Sequence, residues 1–165
     1  MALDQSSKIT GYSIFDNDKL VKCGIFSTTA EEDTARFIEI KQWFVSMLTI
    51  WRPDHVGIEG IQFQEKSGER AMGVTVFQTL ARLQGILMLI CAEQGIPLEV
   101  CTSNTWRHTC GVKGKSRADK KKSAQLLVKQ WYGVTVSEDE ADAIGLGRHL
   151  SSFVKKNTEV INWET

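Results

Sequence analysis

The spacing of apolar residues changes along the chain, and the change separates a strand-rich beginning from a helical remainder. Residues 2–4 lead into residues 8–15, where β-branched and aromatic side chains are frequent, and a similar run covers 20–26 after the turn Asp16–Asp18. This pattern predicts three consecutive strands joined by turns, which pair most simply as antiparallel neighbours.

Helical spacing begins near residue 28 and alternates with two further short strands. Apolar side chains recur at helical intervals from 28 to 51, and Pro53 follows the end of that pattern. The pattern predicts a short buried strand at 55–59 and a further strand at 97–101. Helices are also predicted at about 68–94, 117–131 and 137–153, and the chain between the last strand and a loop at 110–116 is predicted to be helical as well. The order predicts an α/β fold with a mixed five-stranded sheet, its first three strands antiparallel, flanked by helices.

Composition and length are those of one globular domain over residues 1–165. The chain is 42% hydrophobic and 24% charged, and it contains two prolines and no segment typical of a linker. We find no uninterrupted apolar run of the roughly 18 residues that a membrane span needs and no basic, apolar leader, so we expect a cytoplasmic protein without a membrane partner. The four cysteines lack zinc-ligand spacing, and we expect them to be reduced and structural.

Charge is distributed unevenly although the formal net charge is zero. Between Arg107 and Lys129 there are eight basic residues and one acid, Asp119, so this segment carries +7 and the rest of the chain carries −7. A concentrated basic segment is typical of phosphate binding, although a lysine-rich helix face in contact with solvent gives the same pattern.

Two acidic residues lie at predicted strand ends. Asp4 follows the first strand and Glu59 closes the fourth. Each has an ordinary explanation, as a turn aspartate or a solvent-exposed carboxylate. Functional groups in α/β sheets nevertheless gather beyond strand ends, so we expect the two side chains to meet.

A third group of acids opens the last predicted helix. Ser137 and Glu140 form a capping-box pattern, which accounts for acids in the first helical turn, Asp139 included. Asp142 lies beyond that turn and shares an otherwise apolar stripe with Asp139, Leu146 and Leu150. A buried carboxylate needs a cation, and all-oxygen ligands favour Mg²⁺ or Mn²⁺. Two such ions could support phosphodiester hydrolysis.

The order of three motifs resembles the RuvC-type Holliday junction resolvases, particularly the phage-encoded forms. The motifs are Leu3–Tyr12, which contains Thr-Gly-Tyr, then Val56–Glu59, and Asp139–Ala143, which is similar to the D-x-A-D-A helix start of that family. The resemblance implies an RNase H-like fold and a structure-selective endonuclease that cleaves four-way junctions and other branched DNA, leaving 5′-phosphate and 3′-hydroxyl ends. It implies that Asp4, Glu59, Asp139 and Asp142 are the catalytic metal ligands.

The same resemblance implies two Mg²⁺ ions per site, with Mn²⁺ as a substitute, and a homodimer through the helix at about 68–94. A phage origin would place the protein in the cytoplasm of a bacterial host. Gln5-Ser6 stands where the family often has Pro-Gly. That departure keeps every carboxylate, and we expect it to alter how the substrate fits at the mouth of the site.

Residues expected to contact DNA come from the same comparison and from the basic segment. Phe63 is the candidate for stacking on bases at the junction, and Trp106 is expected to pack in the core instead. His149 is interpreted as a helix-end histidine. The residues expected to hold the DNA backbone are Arg107, Lys113, Lys115, Arg117, Lys120, Lys121 and Lys122.

Two other functions are compatible with parts of the sequence. Asp4 followed by Ser6, Ser7 and Thr10-Gly11 resembles the phosphate-binding turn of actin-like ATPases and sugar kinases, but those enzymes need two lobes and a second glycine motif. A non-catalytic DNA-binding module on the same fold would explain the basic segment. It would leave the buried acids unexplained.

Overall fold

Five strands and five helices make up the part of the chain that the computed structural model describes, residues 1–61 and 73–161. In chain order they are β1 (Ala2–Asp4), β2 (Ile9–Asp16), β3 (Lys19–Ser27), α1 (Asp33–Trp51), β4 (Val56–Glu59), α2 (Val74–Glu93), β5 (Leu98–Cys101), α3 (Ser103–Cys110), α4 (Arg117–Tyr132) and α5 (Glu138–Ile161).

The strands form one mixed sheet in the order β3-β2-β1-β4-β5. β1 pairs antiparallel with β2 and β2 antiparallel with β3, whereas β4 lies parallel to both β1 and β5. The predicted sheet, antiparallel in its first three strands and crossed by helices afterwards, is confirmed.

Several boundaries differ from those that the apolar pattern predicts. The first helix begins at Asp33 rather than near residue 28, because Thr28 continues the pairing of β3 through its N–H bond to the Lys8 carbonyl at 3.0 Å. The last helix extends beyond residue 153 to Ile161. The predicted start of α2 at residue 68 lies outside the described residues, and the helix is described from Val74.

Helices cover both faces of the sheet. α1 and α2 enclose the larger core cluster, which includes Leu3 and Ile58, while α5 packs on the opposite face. Side chains alternate between the faces of a strand. Ala2, one residue before Leu3, packs with Leu146 of α5, and a Cβ on Gly57 would lie 3.1 Å from the Leu150 side chain. By the same alternation Asp4 and Glu59 lie on the α5 face.

The start of α5 approaches β2 at Gly11. A Cβ at this position would lie 2.1 Å from the Asp139 carbonyl oxygen, a distance that no side chain could accept. Gly11 is the register partner of Asp4, so the missing side chain allows the helix to begin beside the first acidic residue. The Ser13 hydroxyl then donates to the Ala143 carbonyl at 2.7 Å and fixes α5 along the strand.

α2 has the length and apolar composition of a membrane-spanning helix, and within the described residues no other helix does. The same composition is common in core helices of soluble proteins. Leu83, Leu87 and Ile90 of α2 are buried in the core, whereas Val74 and Leu89, on the other side of the helix, are more than half exposed. α2 is therefore apolar on its inner and outer sides.

Candidate active site

Asp4 and Glu59 are the last residues of two adjacent parallel strands. β1 and β4 pair through Ala2 with Gly57 and Leu3 with Ile58, so the two acids follow in register at the same end of the sheet. The Gln5 side chain continues the ladder: its Oε1 accepts from the Glu59 N–H at 3.1 Å, and its Nε2 donates to the Glu59 carbonyl at 2.5 Å. The predicted meeting of these strand ends is confirmed.

The first two turns of α5 bring Asp139 and Asp142 to the same region. The predicted capping box is present, since the Ser137 hydroxyl accepts from the Glu140 N–H and Glu140 Oε2 accepts from the Ser137 N–H. Asp142 is only 5% exposed, whereas the Asp139 side chain is 36% exposed and lies at the rim. Only Asp142 is therefore deeply placed in the stripe that packs on the sheet.

Two neighbouring residues of α3 contact the buried carboxylates. The Trp106 indole N–H donates to Glu59 Oε2 at 2.8 Å, and Arg107 Nη2 donates to Asp142 Oδ2 at 3.2 Å. Trp106 is fully buried, as expected for a packed rather than DNA-stacking residue. Its bond to Glu59, however, is not evident from the sequence, because nothing in residues 98–110 indicates which strand α3 would contact.

Burial and mutual repulsion raise the pKa of three of the acids. Desolvation raises the pKa of Asp4 well above its usual value, and the charges of Glu59, Asp142 and Asp139 raise it further. Desolvation likewise raises the pKa of Glu59 against the opposing hydrogen bond from Trp106, and that of Asp142 against the opposing charge of Arg107. The concentration of negative charge favours a bound cation.

The donor set fits a hard divalent ion. Oδ1 of Asp142 is buried and has no hydrogen-bond partner, and oxygen is the donor that Mg²⁺ and Mn²⁺ prefer. Within residues 1–61 and 73–161, no three His, Cys, Asp or Glu side chains form a ready-made metal cluster. The Arg107 guanidinium supplies the positive charge beside Asp142.

The basic residues divide into two groups by their distance from the acids. Lys121 contacts Glu138 at 2.8 Å and Asp139 at 3.8 Å, and the charge of Arg117 acts to lower the pKa of Glu59. Together with Arg107, these cations flank the carboxylates. The others lie on the surface of the 110–116 loop and of α4, with Lys120 partly buried: Lys113, Lys115, Lys120 and Lys122.

Three further predictions concern single side chains. Phe63 lies outside the described residues. His149 is not a helix-end residue, because α5 continues for twelve residues beyond it to Ile161; its Nδ1 lies 3.1 Å from the Thr109 hydroxyl. The cysteines are free thiols, three of them buried, as expected.

Comparison with known proteins agrees with this arrangement. The family model described as crossover junction endodeoxyribonuclease RuvC matches residues 1–147. Proteins of that name from Thermomicrobium roseum and Clostridioides difficile are 23% and 26% identical over 88% of this chain, covering 88% and 85% of their own lengths.

Solved structures of Thermus thermophilus RuvC share the fold. One, in complex with a Holliday junction substrate, superposes with a TM-score of 0.75 at 14% identity and covers 94% of both chains. Another T. thermophilus RuvC structure gives a TM-score of 0.69 at 17% identity, over 94% of this chain and 95% of its own. The sheet order, the acids at its end and the match over residues 1–147 lead to one conclusion: this chain belongs to the RuvC family of crossover junction endodeoxyribonucleases.

Proposed function

We propose that the chain is a metal-dependent endonuclease that cleaves Holliday junctions and other branched DNA. The observation that carries the proposal is the convergence of Asp4, Glu59 and Asp142 at one end of the sheet, with a buried, unpartnered oxygen on Asp142. Family membership and the junction complex of T. thermophilus RuvC support the choice of substrate.

In this proposal the four acids are the metal ligands, Asp4, Glu59 and Asp142 from the interior and Asp139 from the rim. Two Mg²⁺ ions, or Mn²⁺ in their place, would activate a water and stabilise the leaving oxygen when bound. Hydrolysis leaves a 5′-phosphate and a 3′-hydroxyl. The protein positions these ligands on strand ends and a packed helix, which are rigid elements suited to precise geometry.

The cations around the acids hold the DNA backbone. The Arg107 side chain is 18% exposed beside its bond to Asp142, so part of it remains open to a phosphate. Arg117 and Lys121 lie at the start of α4 beside the acidic helix, and Lys113, Lys115, Lys120 and Lys122 extend the positive surface outward. Phe63, four positions after Glu59 in the sequence, remains the candidate for base stacking.

A homodimer through α2 completes the proposal. A four-way junction offers two equivalent cleavage positions, which two symmetric sites would match. The side of α2 that faces away from the core exposes Val74, Met88 and Leu89, by 45% to 61%. An apolar surface of this kind on a long helix is typical of a protein interface.

Cleavage of labelled four-way junction and linear duplex DNA, with Mg²⁺, Mn²⁺ or EDTA, tests the function. We expect paired, metal-dependent nicks in the junction, and a loss of about 100-fold or more in the rate for Asp142→Asn, because the outer partners of metal ligands alone contribute 10–100-fold. Asp54→Asn, at the opposite end of β4 and exposed, should cleave as the wild type does.

Other outcomes would change the conclusion. Equal cutting of the linear duplex would reduce the proposal to a general nuclease. Junction binding without cleavage under any of the three metal conditions would contradict catalysis and favour the non-catalytic binding module.

A further inference from the structure

Glu59 is anchored at three atoms by two side chains that are not themselves acidic. Gln5 binds its backbone N–H and carbonyl, and the Trp106 indole N–H binds carboxylate oxygen Oε2 at 2.8 Å. The backbone is secured on the other side as well, since the Gly60 N–H donates to the Cys101 carbonyl at 2.8 Å. Glu59 is therefore held in one orientation, and its other carboxylate oxygen, Oε1, takes no part in the bond to the indole.

Trp106 is built rigidly into the fold. Its ring is fully buried among Ala2, Cys101 and Leu146, and α5 makes room for it at Gly145, where a Cβ would lie 2.5 Å from ring atom Cζ3. A buried indole N–H needs an acceptor, and Glu59 is the acceptor here. The ring cannot turn away from Glu59 without displacing α5.

The same ring supports the neighbouring contact. The Arg107 guanidinium lies 4.9 Å from the Trp106 ring centroid and reaches Asp142 from there. One turn of α3 thus sets the position of two carboxylates, one through a hydrogen bond and one through a stacked cation.

We propose that Trp106 is a positioning residue for the metal site, its indole N–H holding Glu59 Oε2 so that Oε1 is presented as the ligand, with Gln5 fixing the backbone beneath. This inference rests on the proposed function, because it takes Glu59 to be a metal ligand. Partners that orient metal-binding side chains commonly contribute 10–100-fold to metal affinity.

Calorimetric titration of Mn²⁺ into the metal-free, full-length chain tests the inference. Trp106→Phe keeps an aromatic ring and removes the N–H, and we expect it to bind Mn²⁺ about 10-fold more weakly. The matched control is Trp43→Phe, because Trp43 of α1 stacks on Phe26 of β3 on the opposite face of the sheet. The Mn²⁺ affinity of this variant should not change. Junction affinity in EDTA should be the same for both variants.

Repeating the titration in a chain that already carries Glu59→Ala distinguishes positioning of Glu59 from a general effect of Trp106 on packing. With Glu59→Ala already present, Trp106→Phe should cause no further loss of Mn²⁺ affinity, because the group it orients is gone. An equal loss in both backgrounds, or unchanged affinity in the single variant, would overturn the inference. If Trp106→Phe does not fold, Gln5→Met removes the backbone anchor instead, and unchanged Mn²⁺ binding there would also overturn it.

The two proposals fail separately. A wild-type chain that cuts junctions while Trp106→Phe binds Mn²⁺ normally would refute the positioning role alone. A wild-type chain that binds Mn²⁺ through Glu59 and Trp106 but leaves junctions intact would refute the proposed function alone. A wild-type chain with no measurable Mn²⁺ affinity would refute the positioning role, and the cleavage assay would still decide the function.

Discussion

Asp4 is surrounded by the charges of three other acids, Glu59, Asp142 and Asp139, and is largely removed from water. Keeping its carboxylate ionised therefore costs folding free energy until a cation is bound. The nearby positive charges of Arg107 and Lys121 act on Asp142 and offset part of this repulsion. The site thus lowers stability in the metal-free protein, as is common where function needs a strained arrangement.

Replacing Asp4 by Asn should stabilise the metal-free protein. We expect the melting temperature in EDTA at neutral pH to rise by about 2–4 °C, which corresponds to ~1 kcal/mol in a protein of this size. The gain should shrink with excess Mg²⁺, because the wild type, with all four acids, binds the ion more tightly and is stabilised more. Asp16→Asn, at an exposed position, serves as the control in the same thermal melts.

The pH dependence of that gain has a defined sign. Because the pKa of Asp4 is raised in the folded state, its destabilising effect is greatest above the raised pKa and fades as the pH falls toward the unfolded value of 3.8. The two melting temperatures should therefore converge on acidification. A difference that grew as the pH fell would contradict the direction assigned to this pKa.

Among single residues, the sequence indicated the burial of Asp142 better than it indicated which side chains contact the acids. Asp142 could be identified as a buried carboxylate because it lies in an otherwise apolar helical stripe. That pattern depends only on residues close in sequence. Trp106 and Gln5 were not identifiable as partners of Glu59, since the two side chains lie 47 and 54 positions from it in the chain. The close approach at Gly11 was equally hidden, because it depends on where α5 docks.

At the scale of elements, the periodicity predicted strands and helices well and their ends less well. Helix ends depend on local bonds: α1 ends at Trp51 and is capped by Arg52, which adopts the left-handed conformation immediately before Pro53. Pro53 indicates this end in the sequence. The start of α1 was misplaced because Thr28 is held by Lys8 and Thr29 by Glu39, which are 20 and 10 positions away in the chain. α2 carries apolar side chains on its outer side as well as on the side buried in the core.

The outer side of α2 is the surface proposed here as the dimer interface. Leu89 is 59% exposed, and Leu89→Glu should convert the proposed dimer to a monomer, because a charge in an apolar interface loses its hydration without gaining a partner. Light scattering after size-exclusion chromatography would measure the mass. Val21→Glu, 51% exposed on edge strand β3, should leave the mass unchanged.

Either of two results would count against the α2 interface. The wild type could have the mass of a monomer at the concentrations at which it cleaves junctions. Alternatively, both variants could keep the mass of the wild-type dimer, which would place the interface elsewhere.

Across the whole molecule the net charge is zero, but the positive and negative side chains lie in different regions. The basic segment Arg107–Lys129 contributes α3, the following loop and α4 on one side of the acidic site, while the remainder of the chain is negative. The zero net charge therefore says little about DNA affinity. The separation was visible in the sequence, but its placement beside the carboxylates depends on α4 packing against α5.

Removing charge from this segment should weaken DNA binding and its dependence on salt. We expect the combined change Lys113→Ala, Lys115→Ala and Lys122→Ala to lower the magnitude of the slope of log K against log salt concentration by about 1 for each phosphate that the variant no longer neutralises. Fluorescence anisotropy with a labelled junction in EDTA would measure it.

A control with the same net charge tests the role of position. Lys19, Lys22 and Lys41 are exposed and lie outside the basic segment, so their joint replacement by Ala changes the net charge equally. This variant should keep most of the wild-type slope. Equal effects of the two triple variants would mean that overall charge, and not the segment beside the acids, governs binding.

α5 follows all five strands in chain order, which also bears on how the site is assembled during synthesis. Asp4 leaves the ribosome first, but it acquires Asp139 and Asp142 only after more than 130 further residues have been synthesised and α5 has docked through Gly11 and Ser13. If the chain is the nuclease proposed here, an unfinished polypeptide lacks half of the ligands and is harmless to the DNA around it. Activity then begins only when α5 docks, so the order of synthesis delays cleavage until all four ligands are assembled.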